Sequence, residues 1–166
     1  MSQVVMNRID DRLIHGQVII GWTKLRNANS IMIVDDGVAK NPMMLDIMRF
    51  AAPPGIKLEA ITVDVAAGRI RNLDQGNDRI MLLAKVPSTF LRLLETGYKP
   101  TDINYGAMAH KANSKNVAPN CELTPQELDE TEKLYQAGIR IWIQLVPFGG
   151  QKEVDWSNIR SKLINK

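Results

Sequence analysis

The chain has 166 residues, 45% hydrophobic and 23% charged, a composition that suits a globular fold with a sizeable core. Its 21 basic residues are offset by 18 acidic ones and scattered without like-charge runs, and aromatics are only 5%, so a nucleic-acid binder is not the reading. No apolar run approaches the roughly 18 residues of a membrane span, MSQVVMNRIDD has no secretion-signal pattern, and the single Cys121 excludes an internal disulfide framework and fits a reducing cytosol.

In chain order, β-rich runs alternate with helical ones. QVVMNRI (3–9) reads as the first strand, followed by a helix over QVIIGWTKLRNA with Val18, Trp22 and Leu25 toward the core. SIMIVDD (30–36) is the second strand, and Asp35 and Asp36 at its end line a site, bind a cation or close a turn. Asn41-Pro42 offers a cap and a first-turn proline for a helix with Met44, Ile47, Met48 and Ala51 on one face, which APPG (52–55) ends. The methionines at 43, 44 and 48 are expected to pack in the core.

KLEAITVD (57–64) and DRIMLLAK (78–85) read as strands, and Phe90, Leu91 and Leu94 with a stop at Gly97 describe the next helix. After TDINYGA (101–107) comes AHKANSKNVAPNCEL (109–123), long enough to be a functional loop, with room for a short strand near Val117. Thr124 and Glu127 have capping-box spacing, Pro125 sits at the first helical position and Gly138 supplies the stop before IRIWIQLV (139–146). Several strands are continuous apolar runs, the mark of strands covered on both faces. The reading is therefore one domain over residues 1–166, an open, doubly wound α/β fold. Its mainly parallel sheet has six or seven strands, with helices on both faces.

RIDDRLIHGQ (8–17) then straddles the end of the first strand and the start of the first helix, the sheet edge where such folds bind ligands. Its parts suit an anion. Helix-start amides are unpaired, Gly16 permits close approach, and Arg12 brings a planar, permanently charged fork. His15 supplies an imidazole of the kind that is mostly uncharged at neutral pH. Asp10 or Asp11 is placed to fix its tautomer or to orient Arg12. Such a histidine can accept a phosphoryl group. Two other readings are open on these residues. One is a non-catalytic, regulatory anion-binding module, and the other is a hydrolase with His15 as general base. His110 is read as a loop histidine or a second acid–base group, and Lys111 and Lys115 as solvated or partner-facing.

RIDDRLIHGQV with GWTK (21–24) closely resembles the active-site segment of the B subunits of enzyme II in the bacterial sugar phosphotransferase system. The branch is the mannose/fructose/sorbose family. IVDDGVAKNP (33–42), AAPPGIKL (51–58), DRIMLLAKVPSTFLRLLETG (78–97) and TPQELDETEKLYQAGI (124–139) carry the likeness along nearly the whole chain. The chain departs from the family at Gly106-Ala107-Met108, where relatives often have Gly-Gly-Met or Gly-Asn-Met, and again through Ala109 to Lys115.

The resemblance implies a phosphotransferase. A phosphohistidine on the A subunit (IIA) phosphorylates His15, and the group passes to a sugar imported through the membrane IIC and IID subunits. It matches His15 to the phosphorylated residue and Arg12 to an arginine of the same loop. Asp10, Asp11, Gly16 and Gln17 match the rest of that loop, and the residues themselves, not the resemblance, suggest that they bind or orient the group, with Asp36, on the same sheet edge, as an outer candidate. It also implies a cytoplasmic location at the inner face of the membrane, and a chemistry needing no metal or organic cofactor.

Overall fold

A computed structural model describes residues 1–164. The chain traces β1 (Gln3–Ile9), α1 (Gly16–Arg26), β2 (Ser30–Val34), α2 (Asp36–Ala39) and α3 (Pro42–Ala51). It continues through β3 (Lys57–Ile61), α4 (Val63–Arg71), β4 (Arg79–Ala84), α5 (Pro87–Glu95) and β5 (Asp102–Tyr105). Then come β6 (Lys115–Ala118), β7 (Cys121–Leu123), α6 (Pro125–Gln136), β8 (Arg140–Ile143), β9 (Val154–Asp155) and α7 (Trp156–Ile164).

Seven strands form one sheet in the order β3-β2-β4-β1-β5-β8-β9, parallel except for the β8–β9 pair. The continuous apolar runs now have their cause. In β2, Ile31 and Ile33 join the core under α1 while Met32 and Val34 join the core under α4 and α5, all fully buried. In β4, Met81 and Leu83 face the first layer, and Ile80, Leu82 and Ala84 the second. The fold class read from the alternation is the observed one.

Local signals place the helices. Thr124 closes a capping box with Glu127, each side chain taking the other's backbone N–H, and Asn41 Oδ1 accepts from the Met44 N–H at 3.1 Å. Gly97 and Gly138 take positive φ just past α5 and α6. Val18 and Trp22 are buried as expected, but Leu25 is exposed and Ile19 takes the inward place.

The larger correction is α3. Met43, Met44, Ile47 and Ala51 are exposed, and only Met48, half-buried, reaches the core. The reason is topological. α3 packs beside β3, the edge strand, and among the described residues the outer part of its apolar arc, Met43, Ile47 and Phe50, is left exposed. The 109–123 segment contains two strands rather than one, the antiparallel hairpin β6–β7. The helices α4 and α7 carried no strong sequence signal and are new.

The connection leaving β1 runs through α1 on one face. Those leaving its neighbours β4 and β5 lead to α5 and α6 on the other. That divergence opens a crevice at the carboxyl end of β1, and residues 10–15 fill its rim.

Candidate functional site

β1 delivers Arg8 and Asp10 to the same face, two residues apart, as strand periodicity requires. Both are buried. The Arg8 guanidinium donates to Asp10 Oδ2 at 2.9 Å, to the carbonyls of Gln144 at 3.1 Å and Leu145 at 3.0 Å, and to Asn104 Oδ1. It also stacks on Trp22, 5.5 Å from the ring centre. Burial pushes the Arg8 pKa down to about 10, against the opposing pull of Asp10, so the group stays charged at neutral pH.

Asp10 is the hub. Its Oδ1 accepts the backbone N–H of Arg12 at 3.1 Å, and Oδ2 accepts the Ala107 N–H at 3.3 Å. Oδ2 also lies 3.3 Å from His15 Nε2. A buried cation, a buried carboxylate and a partly exposed imidazole thus form one chain of contacts running outward. The His15 side chain is 23% exposed and the Arg12 side chain 51%.

The loop is held by what it buries. Leu13 and Ile14 are in the core, and Leu13 adopts a left-handed backbone with φ 56°. For a branched residue that conformation costs on the order of 1 kcal/mol, which the buried side chain offsets. Gly16 is left-handed too, with φ 43°, and nothing lies where a Cβ would project, so the helix start stays open to solvent. His15 caps α1 without a side-chain hydrogen bond to it, and the first turn has no acidic residue. The first amides of α1 therefore have no side-chain acceptor supplied by the cap.

The other expected residues divide. Asp11 turns away from His15, taking the Ala109 N–H at 2.6 Å and so tethering the segment after β5. Gln17 is exposed on the first turn of α1. Asp36 is engaged elsewhere, accepting from the Val63 N–H at 2.9 Å and from Arg92 at 2.9 Å, which hold its carboxyl below the usual range. Asp35 caps α2 through the Val38 N–H. His110 is exposed and pairs with Glu122 at 2.7 Å rather than with His15. Lys111 reaches Glu127 at 2.7 Å. Cys121 is buried, and burial pushes its thiol up to about 12, which removes it as a nucleophile.

Sequence reasoning passed over Arg8, Asn104 and Gly106. Gly106 belongs with them because a Cβ there would run into the Arg8 guanidinium and stand 2.6 Å from Asp10 Oδ2. The available signal was Arg-x-Asp at the end of a strand, which puts two opposite charges on one inward face. A groove of about 550 Å³ adjoins Arg12, walled by Asp11, His110, Asn116, Asn120 and Glu122. Among the described residues no cluster of three or more His, Cys, Asp or Glu is positioned for a metal, and no helix is long and apolar enough to cross a membrane.

Comparison with known proteins gives this arrangement its context. The family described as PTS system sorbose subfamily IIB component matches residues 4–165. The chain belongs to that family. It is 31% identical over 144 residues to the sorbose-specific EIIB component of Klebsiella pneumoniae, covering 87% of this chain and 88% of that one. It is 34% identical over 139 residues to the mannose-specific EIIAB component of Escherichia coli K12, covering 84% of this chain but only 43% of that longer protein.

Among solved structures, manxB from Thermoanaerobacter tengcongensis superposes with a TM-score of 0.89 at 30% identity, over 99% of this chain and 98% of that one. The IIBSor domain of the Klebsiella pneumoniae sorbose permease gives 0.87 at 28%, over 97% and 98%. As a IIB component the protein is a sugar phosphotransferase of the mannose/fructose/sorbose group.

Proposed function

We propose that the protein carries a phosphoryl group on Nδ1 of His15. It takes the group from the phosphohistidine of a IIA partner and yields it to a sugar moved through membrane IIC and IID subunits, working from the cytoplasmic face. The observation that carries this reading is the 3.3 Å approach of His15 Nε2 to the buried carboxylate of Asp10. An Nε2–H donating to Asp10 leaves the lone pair on Nδ1, the nucleophilic nitrogen.

In transfer, the Nδ1 lone pair attacks phosphorus in line while the donor's P–N bond breaks. The imidazole becomes positive as the new bond forms, and the Asp10 carboxylate lies against the nitrogen that shares that charge. Arg8 holds Asp10 in place from behind. Arg12, exposed and tethered by its backbone to Asp10, is free to close on the phosphoryl oxygens, as are the amides at the start of α1. Gln17 contributes its backbone N–H to that set and Asp11 keeps the segment after β5 in register. Two unit charges about 4 Å apart attract by roughly 4 kcal/mol at an effective dielectric near 20, and solvent at this open rim leaves less. A carrier gains from moderate binding, since the group must leave again.

The test is incubation with the general phosphotransferase proteins and a cognate IIA. One acid-labile phosphoryl group per chain is expected, absent in His15→Ala. Arg12→Ala should slow uptake on the order of 10² to 10³. Uptake of label by His15→Ala refutes the assignment. Catalytic turnover of a small ester would instead indicate a hydrolase, and neither activity a binding module.

A further inference from the structure

The most exposed apolar surface lies outside the site just described. On α3, Met43, Ile47 and Phe50 follow one another at helical spacing, and Phe50 is 93% exposed in a helix with no buried residue. Met44 extends the stripe toward the core. Asp46 and Arg49, ion-paired at 2.9 Å, border the stripe on its other flank.

We propose that this stripe is a two-fold interface through which a second copy of the chain binds, α3 against α3 in antiparallel orientation. Two features select a second copy over another partner. The first is charge. The flank carries one acidic and one basic residue three positions apart, so a two-fold axis near Ile47 sets Asp46 opposite the second copy's Arg49, and Arg49 opposite its Asp46. The same axis brings Phe50 over the second copy's Met43. A lipid surface or an acidic partner calls for an excess of positive charge, and this flank is neutral.

The second feature is area. The four apolar side chains expose on the order of 500 Å² between them, which doubles across the axis to about the 1,000 Å² at which specific association begins. A weak, reversible dimer follows, since an area at that threshold suits a transient contact. The hollow of about 380 Å³ lined by Asp46, Arg49 and Phe50 gives the opposing side chains somewhere to seat. α3 flanks the edge strand β3, which stands three strand spacings, about 14 Å, from the β1 strand that leads to His15, so the pairing is centred away from that strand. The inference does not depend on the proposed chemistry.

Sedimentation of the full chain up to about 500 µM reads the outcome. Wild type should pass from monomer to dimer, and Phe50→Glu should weaken association at least about 30-fold with its thermal midpoint and phosphoryl uptake unchanged. Asp46→Arg and Arg49→Asp should each associate poorly alone, yet pair with one another when mixed, which only contact between copies produces. Wild type that stays monomeric to the highest concentration overturns the proposal, as does a dimer indifferent to Phe50→Glu. Loss of phosphoryl uptake in folded, monomeric Phe50→Glu beside a monomeric wild type would assign the stripe to the donor protein instead.

Discussion

Replacing Arg8 by methionine tests the buried relay directly. Met fills much of the same volume and can lie on Trp22, but it takes the guanidinium's hydrogen bonds from Asp10 Oδ2, Asn104 Oδ1 and the carbonyls of Gln144 and Leu145, leaving Asp10 with only the Ala107 and Arg12 amides and His15, and no fixed cation. At 2.9 Å and an effective dielectric near 20, the Arg8–Asp10 attraction is about 6 kcal/mol before the desolvation that offsets most of it. The relevant quantity is the cost of leaving one buried charge without its partner, about 3 to 5 kcal/mol. For a chain of this length that lowers the thermal midpoint by on the order of 10 °C.

Phosphoryl uptake should fall as well, because Asp10 no longer has a fixed cation behind it while it steadies the imidazole. A second variant separates the two effects. Arg8→Met with Asp10→Asn removes both charges, so calorimetry and urea unfolding should show part of the stability restored, while uptake stays low because a neutral amide does not offset an imidazolium. An Arg8→Met midpoint within about 3 °C of wild type would refute the reasoning. So would a double variant as unstable as the single one.

Other outcomes follow from the same contacts. Gly106→Ala drives a methyl into the Arg8 guanidinium, whose two terminal nitrogens are held by Asp10, Asn104 and the carbonyls of Gln144 and Leu145. It should cost about 1 to 3 kcal/mol by urea unfolding and slow phosphoryl uptake, although residue 106 touches no phosphoryl group. Asp36→Asn should leave uptake unchanged in the transfer assay, since its carboxylate serves Val63 and Arg92, and lower stability by no more than about 1 kcal/mol. Glu132, held by Arg160 with help from Gln136 and Trp156, titrates down near 2. A depressed carboxylate stabilises the fold above its unfolded pKa, and that contribution drains away as pH falls from about 4.5 through about 2. Glu132→Gln should therefore cost about 1 to 2 kcal/mol at pH 7, discounted for partial exposure, and nothing below about pH 2. Urea unfolding against pH reads the convergence.

How far the sequence carried the reading depends on whether a signal was local. The capping box at Thr124 and the stop at Gly138 involve neighbours a few residues apart, and both stand in the structure as read. The same holds for the strand at Gln3–Ile9, whose ends were legible from pattern alone. His15, Arg12 and Asp10 were legible as candidates because they share one short segment. Which aspartate meets the imidazole was not, since Asp10 and Asp11 differ only in the way the strand end turns.

Amino-acid order alone determined the alternation of strands and helices and the placing of an anion-suited segment after the first strand. Periodicity and caps are short-range properties of a chain. Tertiary structure decided the rest: that Arg8, read as one more strand residue, is the cation behind Asp10, and that Gly106, almost a hundred positions away, must lack a side chain to let it fit. It also left α3 uncovered, because strand order puts β3 at the edge, and no local pattern records which strand ends up there. Burial and charge pairing arise between segments remote in sequence, and they become visible only when the sheet brings those segments together.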